Sequence, residues 1–323
     1  MKLLLTGASG LAGSNIARAA HRRGWEVMAI TGTFTGGIEG AARTIGLDLA
    51  DEAAVQRATL DLFPDAIVNA AAIAEPSLCD AQPELSARVN VALPAALARL
   101  AHHLGARFVH LSSEQVFDGR HAPYRHDDPI SPINLYGRQK AEAEDAAMRS
   151  APDESIVIRL PLLGGNSATG TRSMHERLFA AWAAGRRTRL YRDEFRQPCS
   201  AENVAEVVVE LCERRDLTGI HHWAGAEPIS RLEMGRRVAM RFKLPVDEHI
   251  EEGARADHPG GAGQRQADLS LDCSSLTGKL KTPRETFDAL LDKLVVPEPC
   301  RRWYRGGGEE SGGRDQESET IPK

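Results

Sequence analysis

The chain has 323 residues, 42% of them hydrophobic, which is enough to bury a full core and excludes a disordered chain. Its 40 Lys and Arg against 45 Asp and Glu leave a net charge of -5, which gives no electrostatic basis for a nucleic-acid or anionic-membrane partner and points to a small or nucleotide-like ligand. The five cysteines, Cys79, Cys199, Cys212, Cys273 and Cys300, form no C-x-x-C pair, so a disulfide framework and a structural zinc site are not expected, and no metal is assigned.

Along the chain, short apolar runs alternate with amphipathic stretches. Met1 to Leu5 passes directly into a glycine-rich turn without a charged leader, and no later stretch approaches the roughly 20 apolar residues of a membrane span, so a cytoplasmic protein is expected. Lys2 to Leu5, Glu26 to Thr31, Ala66 to Asn69, Arg107 to Ser112 and Ile156 to Leu160 read as strands. Helical patterns lie near Leu11 to Arg23, Asp51 to Phe63, Glu84 to Leu104 and Leu135 to Arg149, and Pro94 predicts a kink or break in the third. This alternation specifies an α/β fold with a doubly wound parallel sheet. After Leu160 the pattern is less regular, with helices near Ser173 to Ala184 and Ala201 to Arg215 and a short strand, Gly219 to Trp223, expected to return to the sheet. The predicted organisation is a sheet domain over residues 1–160, joined again by 200–223. A smaller C-terminal substrate-binding domain takes 161–199 and 224–304, and from Arg305 the Gly, Ser, Glu and Asp of 305–323 read as a disordered tail.

Thr6-Gly7-Ala8-Ser9-Gly10-Leu11-Ala12-Gly13 joins the first strand to the first helix, where a dinucleotide pyrophosphate meets exposed N–H groups and the positive helix end. Gly7 permits the tight turn, Gly10 lets backbone approach the phosphates, and Gly13 lets the helix pack on the sheet, so a Rossmann-type NAD(P)-binding domain is expected. Ser9 and Leu11 belong to the same cradle. The second strand ends at Thr31 without the carboxylate that grips the adenosine ribose of NAD, which favours NADP(H), with NAD(H) as the alternative. No arginine adjoins that strand end to take the extra phosphate, and an acid reaching in from elsewhere, such as Glu39, would reverse the preference. Asp48 and Leu49 after a third strand, and Ala70, Ala71 and Ala72 after the fourth, fall at strand ends where open α/β sheets place ligands.

Tyr136 and Lys140 are four residues apart on a helix and share one face. A neighbouring ammonium is expected to lower the tyrosine pKa from about 10, so that Tyr136 can protonate a carbonyl oxygen while hydride reaches carbon. Lys140 is also assigned to the nicotinamide ribose. Ser113, at the end of the fifth strand beside Ser112, is placed to hold that oxygen.

These segments, with Asp65 to Ala72, Val89-Asn90, Val116 to Gly119 and Ser131 to Lys140, resemble the extended short-chain dehydrogenases/reductases of the dTDP-4-dehydrorhamnose reductase group over nearly all of residues 1–300. The resemblance implies a Ser113, Tyr136, Lys140 triad, a supporting role for Asn90, and a keto group on a nucleotide-linked deoxysugar as substrate. In that family an Asp-Tyr pair follows the catalytic hydroxyl and a tryptophan follows the sixth strand. Here Glu114, Gln115 and Leu162 stand there, implying a reshaped substrate pocket and poor use of dTDP-4-dehydrorhamnose. Arg196, in Phe195 to Ser200, is the expected phosphate contact and is preferred to Arg186, Arg187 and Arg189. The second half, at Arg159 to Leu162, Gly219 to Gly225 and Leu271 to Leu276, is similar to the regulatory β subunit of methionine adenosyltransferase, which implies an NADP-binding partner protein instead. A sugar-nucleotide epimerase or dehydratase is a third reading, disfavoured by the missing ribose carboxylate and by the single acid after Ser113. A homodimer or a complex with a partner enzyme is expected. His102, His103, His110, His221 and His222 lack metal-site spacing, and Trp182, Trp223 and Trp303 read as packing residues.

Overall fold

The computed structural model describes residues 1–309. Its order is β1 (Lys2–Thr6), α1 (Leu11–Arg22), β2 (Glu26–Thr31), β3 (Arg43–Gly46), α2 (Glu52–Leu62), β4 (Ala66–Asn69), α3 (Pro76–Ala81), α4 (Pro83–Ala87), α5 (Leu93–Leu104), β5 (Arg107–Ser113), α6 (Leu135–Ser150) and β6 (Ser155–Leu160). There follow β7 (Leu163–Gly164), α7 (Met174–Ala183), β8 (Thr188–Tyr191), β9 (Phe195–Arg196), β10 (Cys199–Ser200), α8 (Ala201–Glu213), β11 (Gly219–His222), β12 (Ile229–Ser230), α9 (Arg231–Arg241), α10 (Val246–His249), β13 (Ile250–Gly253), α11 (Phe287–Lys293) and α12 (Arg301–Glu309).

Seven parallel strands form one sheet in the order β11-β6-β5-β4-β1-β2-β3, the doubly wound Rossmann arrangement. Every residue of β4, β5 and β6 is buried, because helices cover both faces and leave no polar side to alternate with. The crossover helices are delimited by local chemistry. Asp51 caps α2 by accepting the Ala54 N–H, and Phe63, at a φ of 50°, ends it. The expected helix from Glu84 to Leu104 is divided: α4 gives way to a π turn over Arg88–Ala92 before α5. Pro94, the second residue of α5, directly follows the π turn, and that wider turn carries Asn90 into the interior.

β11 pairs with β6, so α8 and β11 belong to the sheet lobe although they follow part of the second lobe in sequence. The second lobe has its own apolar core, built around Phe179, Trp182, Leu190, Phe242, Phe287 and Leu290. Trp303 and Tyr304 pack on that core. They tie down α12, so residues 305–309 of the segment expected to be disordered are helical, and 310–323 lie outside the described residues. Among the described residues no helix is long and apolar enough to cross a membrane, and no group of three or more His, Cys, Asp or Glu is arranged to hold a metal ion.

Candidate active site

The glycine turn is built to an ångström tolerance. Gly7 has a φ of 67°, and a Cβ there would lie 2.5 Å from the Ala71 nitrogen and 2.6 Å from the Ala70 carbonyl. The turn and the segment after β4 therefore press backbone to backbone. A Cβ on Gly13 would stand 2.2 Å from the Gly7 oxygen, which is why α1 can start directly under the turn. At Gly10 the nearest such contact is 3.2 Å. α2, α6 and α8 are capped by Asp51, Asn134 and Ser200, whereas α1 has no side-chain cap and no acid in its first turn. This cradle fits an anionic pyrophosphate, whose oxygens would take the place of a cap.

The other residues assigned to the cofactor are less uniform. Ser9 and Leu11 are half-buried in and beside the turn, and Leu11 approaches Gly165 from the second lobe. Thr31 is fully buried, and its hydroxyl donates to the Phe34 carbonyl at 2.8 Å, so only its backbone can face a ribose. Asp48 is exposed and its carboxylate accepts the Ala50 N–H at 2.9 Å. Leu49 packs into the sheet core, Ala70 and Ala71 line the turn, and Ala72 is exposed.

Ser113 ends β5 and begins a 3-10 turn over Glu114–Val116, where its Oγ accepts the Gln115 N–H at 3.2 Å. α6 is brought flush against this turn because residue 137 is glycine: a Cβ there would lie 2.2 Å from the Gln115 oxygen. Asn134 locks the contact, accepting the Gly137 N–H at 2.8 Å and donating to Gln115 Oε1 at 2.9 Å. Tyr136 is thereby buried on α6, on the side that packs against the Ser113 turn. Burial pushes the phenol up to about 12, Ser113 pulls it down, and Cys79 and Glu114 add to the rise. Lys140 does not produce the expected lowering. Its Nζ donates to the Leu111 carbonyl at 2.6 Å, and burial brings it down to about 8 against the opposing pull of Glu144 and Cys79. In a dry site the ammonium takes the nearest strong acceptor, which is the backbone of β5.

Residues with no chemical motif of their own hold this set. Asn90 accepts the Ile73 N–H at 2.9 Å and donates to the Ile73 carbonyl and to Gln139 Oε1, clamping the segment after β4 to α6. Below the site, Glu144 accepts the Ser112 hydroxyl and three hydrogen bonds from Arg159, whose guanidinium also stacks over Phe117 at 5.0 Å. Asn69 joins the Thr6 hydroxyl to His110, whose burial keeps it well below the usual histidine range. Sequence reading missed Glu144 and Arg159, because their only signal is one acid and one base among many.

The residues assigned to substrate need correction. Arg196 is not a free phosphate contact: it is buried, with Nε 3.2 Å from Glu114 and Nη2 3.1 Å from Glu194, and Nη1 donates to the Phe195 and Gln266 carbonyls. Burying an arginine without carboxylates would be too costly, so the fold supplies two. Glu114 is correspondingly buried, and desolvation pushes it up to about 8 despite Arg196 and Arg231; its Oε2 has no hydrogen-bond partner among the described residues. Gln115 is half-buried and committed to Asn134. Leu162 packs on the apolar core of the second lobe, beside Gly164, Met174 and Leu290. Arg187 and Arg189 are likewise committed, to the Ile250 carbonyl and to Glu251.

Comparison with known proteins places this geometry in context. The model of the family described as the RmlD substrate binding domain matches residues 1–297. Methionine adenosyltransferase 2 subunit beta of Xenopus laevis is 32% identical over 280 residues, covering 85% of this chain and 81% of that protein. The crystal structure of a hypothetical dTDP-4-dehydrorhamnose reductase from Sulfolobus tokodaii has a TM-score of 0.77 and 30% identity, covering 92% of this chain and 100% of that one. A dTDP-4-dehydrorhamnose reductase from Bacillus anthracis, solved in complex with NADP, shares the fold with a TM-score of 0.77 at 16% identity, over 90% of this chain and 97% of that one. With its parallel sheet, uncapped glycine turn and Ser113, Tyr136 and Lys140 at one strand end, this chain belongs to the RmlD substrate binding domain family.

Proposed function

We propose that this chain is a cytoplasmic NAD(P)H-dependent reductase of the short-chain type that acts on a keto group of a nucleotide-linked deoxysugar, with NADP(H) favoured. The observation that carries the reading is the packing of α6, which bears buried Tyr136 and Lys140, against the turn that follows Ser113 at the end of β5, with Lys140 Nζ on the Leu111 carbonyl. The cofactor supplies hydride when bound. Ser113 holds the carbonyl oxygen, and Tyr136, kept protonated by its burial, donates a proton to that oxygen as charge develops there. Lys140, lowered to about 8, stands ready to return a proton toward the site. Ser113 follows β5 at the same edge of the parallel sheet as the uncapped start of α1 after β1, and a structure sharing this fold is a reductase solved with NADP.

The experiment is NADPH oxidation by the purified chain with a panel of nucleotide-linked keto sugars that includes dTDP-4-dehydrorhamnose. Tyr136→Phe is expected to reduce turnover by about 100-fold or more while NADPH affinity stays within about twofold. Equal turnover in that variant removes Tyr136 as proton donor. Glu114, Gln115 and Leu162 support a preference for a sugar other than the rhamnose precursor, and efficient turnover of that precursor would refute this part.

A second reading is favoured by the similarity to a methionine adenosyltransferase beta subunit: an NADP-binding regulatory subunit. It predicts co-purification of a partner enzyme from the native host and no turnover of any sugar in the panel. Isolation as a homodimer without a partner, with turnover, decides for the reductase.

A further inference from the structure

The segment after Thr31, where a doubly wound sheet places the adenosine ribose of a dinucleotide, lies against a cation on α1. The segment between β2 and β3 descends along α1: Phe34 and Ile38 pack on the core that α1 covers, and a Cβ on Gly40 would stand 2.8 Å from the Ala17 oxygen and 3.1 Å from the Arg18 Cα. Arg18 faces this segment. Helical side chains lean toward the helix start, and here the guanidinium does so: Nη2 donates to Asn15 Oδ1 at 2.7 Å, and Asn15 in turn donates to the Leu11 carbonyl at 2.8 Å. The charge is therefore held one turn from the uncapped start of α1, on the side covered by the segment after Thr31. The other nitrogen, Nη1, lies 3.5 Å from Glu39, whose side chain is 79% exposed. So loose and solvated a pair contributes little and exchanges readily.

We propose that Arg18 is the residue that selects NADP: the 2′-phosphate displaces Glu39 and takes the guanidinium, while Asn15 keeps it oriented. A phosphate presents more charge and more acceptor oxygens than the carboxylate it replaces. Glu39 acts as a placeholder that lowers NADPH affinity without touching NADH. This inference rests on the dinucleotide-binding reading above.

Fluorescence titration of the full chain with NADPH and with NADH tests it. Wild type is expected to bind NADPH more tightly. Arg18→Gln should weaken NADPH by about tenfold and leave NADH within about twofold, and Glu39→Gln should tighten NADPH by a few-fold with NADH unchanged. An unchanged NADPH-to-NADH ratio in Arg18→Gln overturns the proposal, as does an equal loss of both cofactors, which would make Arg18 a support of α1 only. Wild type favouring NADH, with Glu39→Gln reversing it, also overturns it, since Glu39 would then hold the ribose itself. If wild type binds neither cofactor, the dinucleotide reading fails first, and the two failures are told apart.

Discussion

Glu144, in the sheet lobe, accepts three hydrogen bonds from Arg159 and one from the Ser112 hydroxyl, and both of its oxygens are used. Glu114, where the two lobes meet, has Arg196 at 3.2 Å on one oxygen and, among the described residues, no hydrogen-bond partner on the other. Arg196 is shared with Glu194, which draws Arg265 as well. Burial is nearly complete at both sites, so the difference is geometry. Glu144 has a full donor set, whereas burial pushes Glu114 up to about 8 despite the pull of Arg196, which it shares with Glu194, and of Arg231.

The largest effect expected from this contrast comes from Arg159→Met, which leaves Glu144 buried beside an uncharged neighbour. Unfolding in urea should show a loss of about 3–5 kcal/mol. Arg196→Met should cost less than about half of that, because Glu114 can take up a proton instead of remaining charged. Equal losses for the two variants would erase the distinction between the sites.

A medium effect lies in the pH dependence. Glu114 has a folded pKa near 8 against an ordinary 4.5, so between these values the folded chain holds a proton that the unfolded chain has released. Its contribution to stability is present below about 4.5 and is lost as pH rises toward 8. Burial of His222, down to about 3, works in the opposite direction at lower pH, so the observable is the difference from Glu114→Gln. That variant should lack the fall in melting temperature between pH 5 and 8 that wild type owes to Glu114. Parallel wild-type and variant curves would mean that Glu114 is ionised throughout. Lys140, lowered to about 8 from 10.5, gives the complementary window: stability rises with pH between 8 and 10.5, and Lys140→Met should flatten that rise.

The smallest effect belongs to solvent-exposed pairs of equally short reach. Arg149 lies 2.6 Å from Asp145 one turn away on α6, yet both side chains are more than half exposed. Arg149→Gln should change stability by less than about 0.5 kcal/mol, and a larger loss would show that length, not burial and partner count, ranks these pairs.

The legible parts of the site share a property: each is specified by residues close in sequence. The glycine spacing between β1 and α1 encodes its own turn, and the four-residue interval of Tyr136 and Lys140 encodes a common helix face. Asn90 was recognised only by resemblance, since its role depends on a π turn that no periodicity announces. Residues 305–309 belong to α12 and not to the expected disordered segment, because glycines after Tyr304 outweigh, in a composition count, two aromatic residues that find a distant core.

By itself the sequence determined the alternation of strands and helices, the glycine turn between β1 and α1 and the shared helix face of Tyr136 and Lys140, because backbone freedom and side-chain period are local properties. Only the tertiary structure decided which charges are free. Arg196, the expected phosphate contact, is consumed by Glu114 and Glu194, whereas Arg18 is oriented by Asn15 and holds only a loose, exposed pair with Glu39. Desolvation and pairing depend on what the fold brings within a few ångströms, and the partners come from segments that sequence order does not relate.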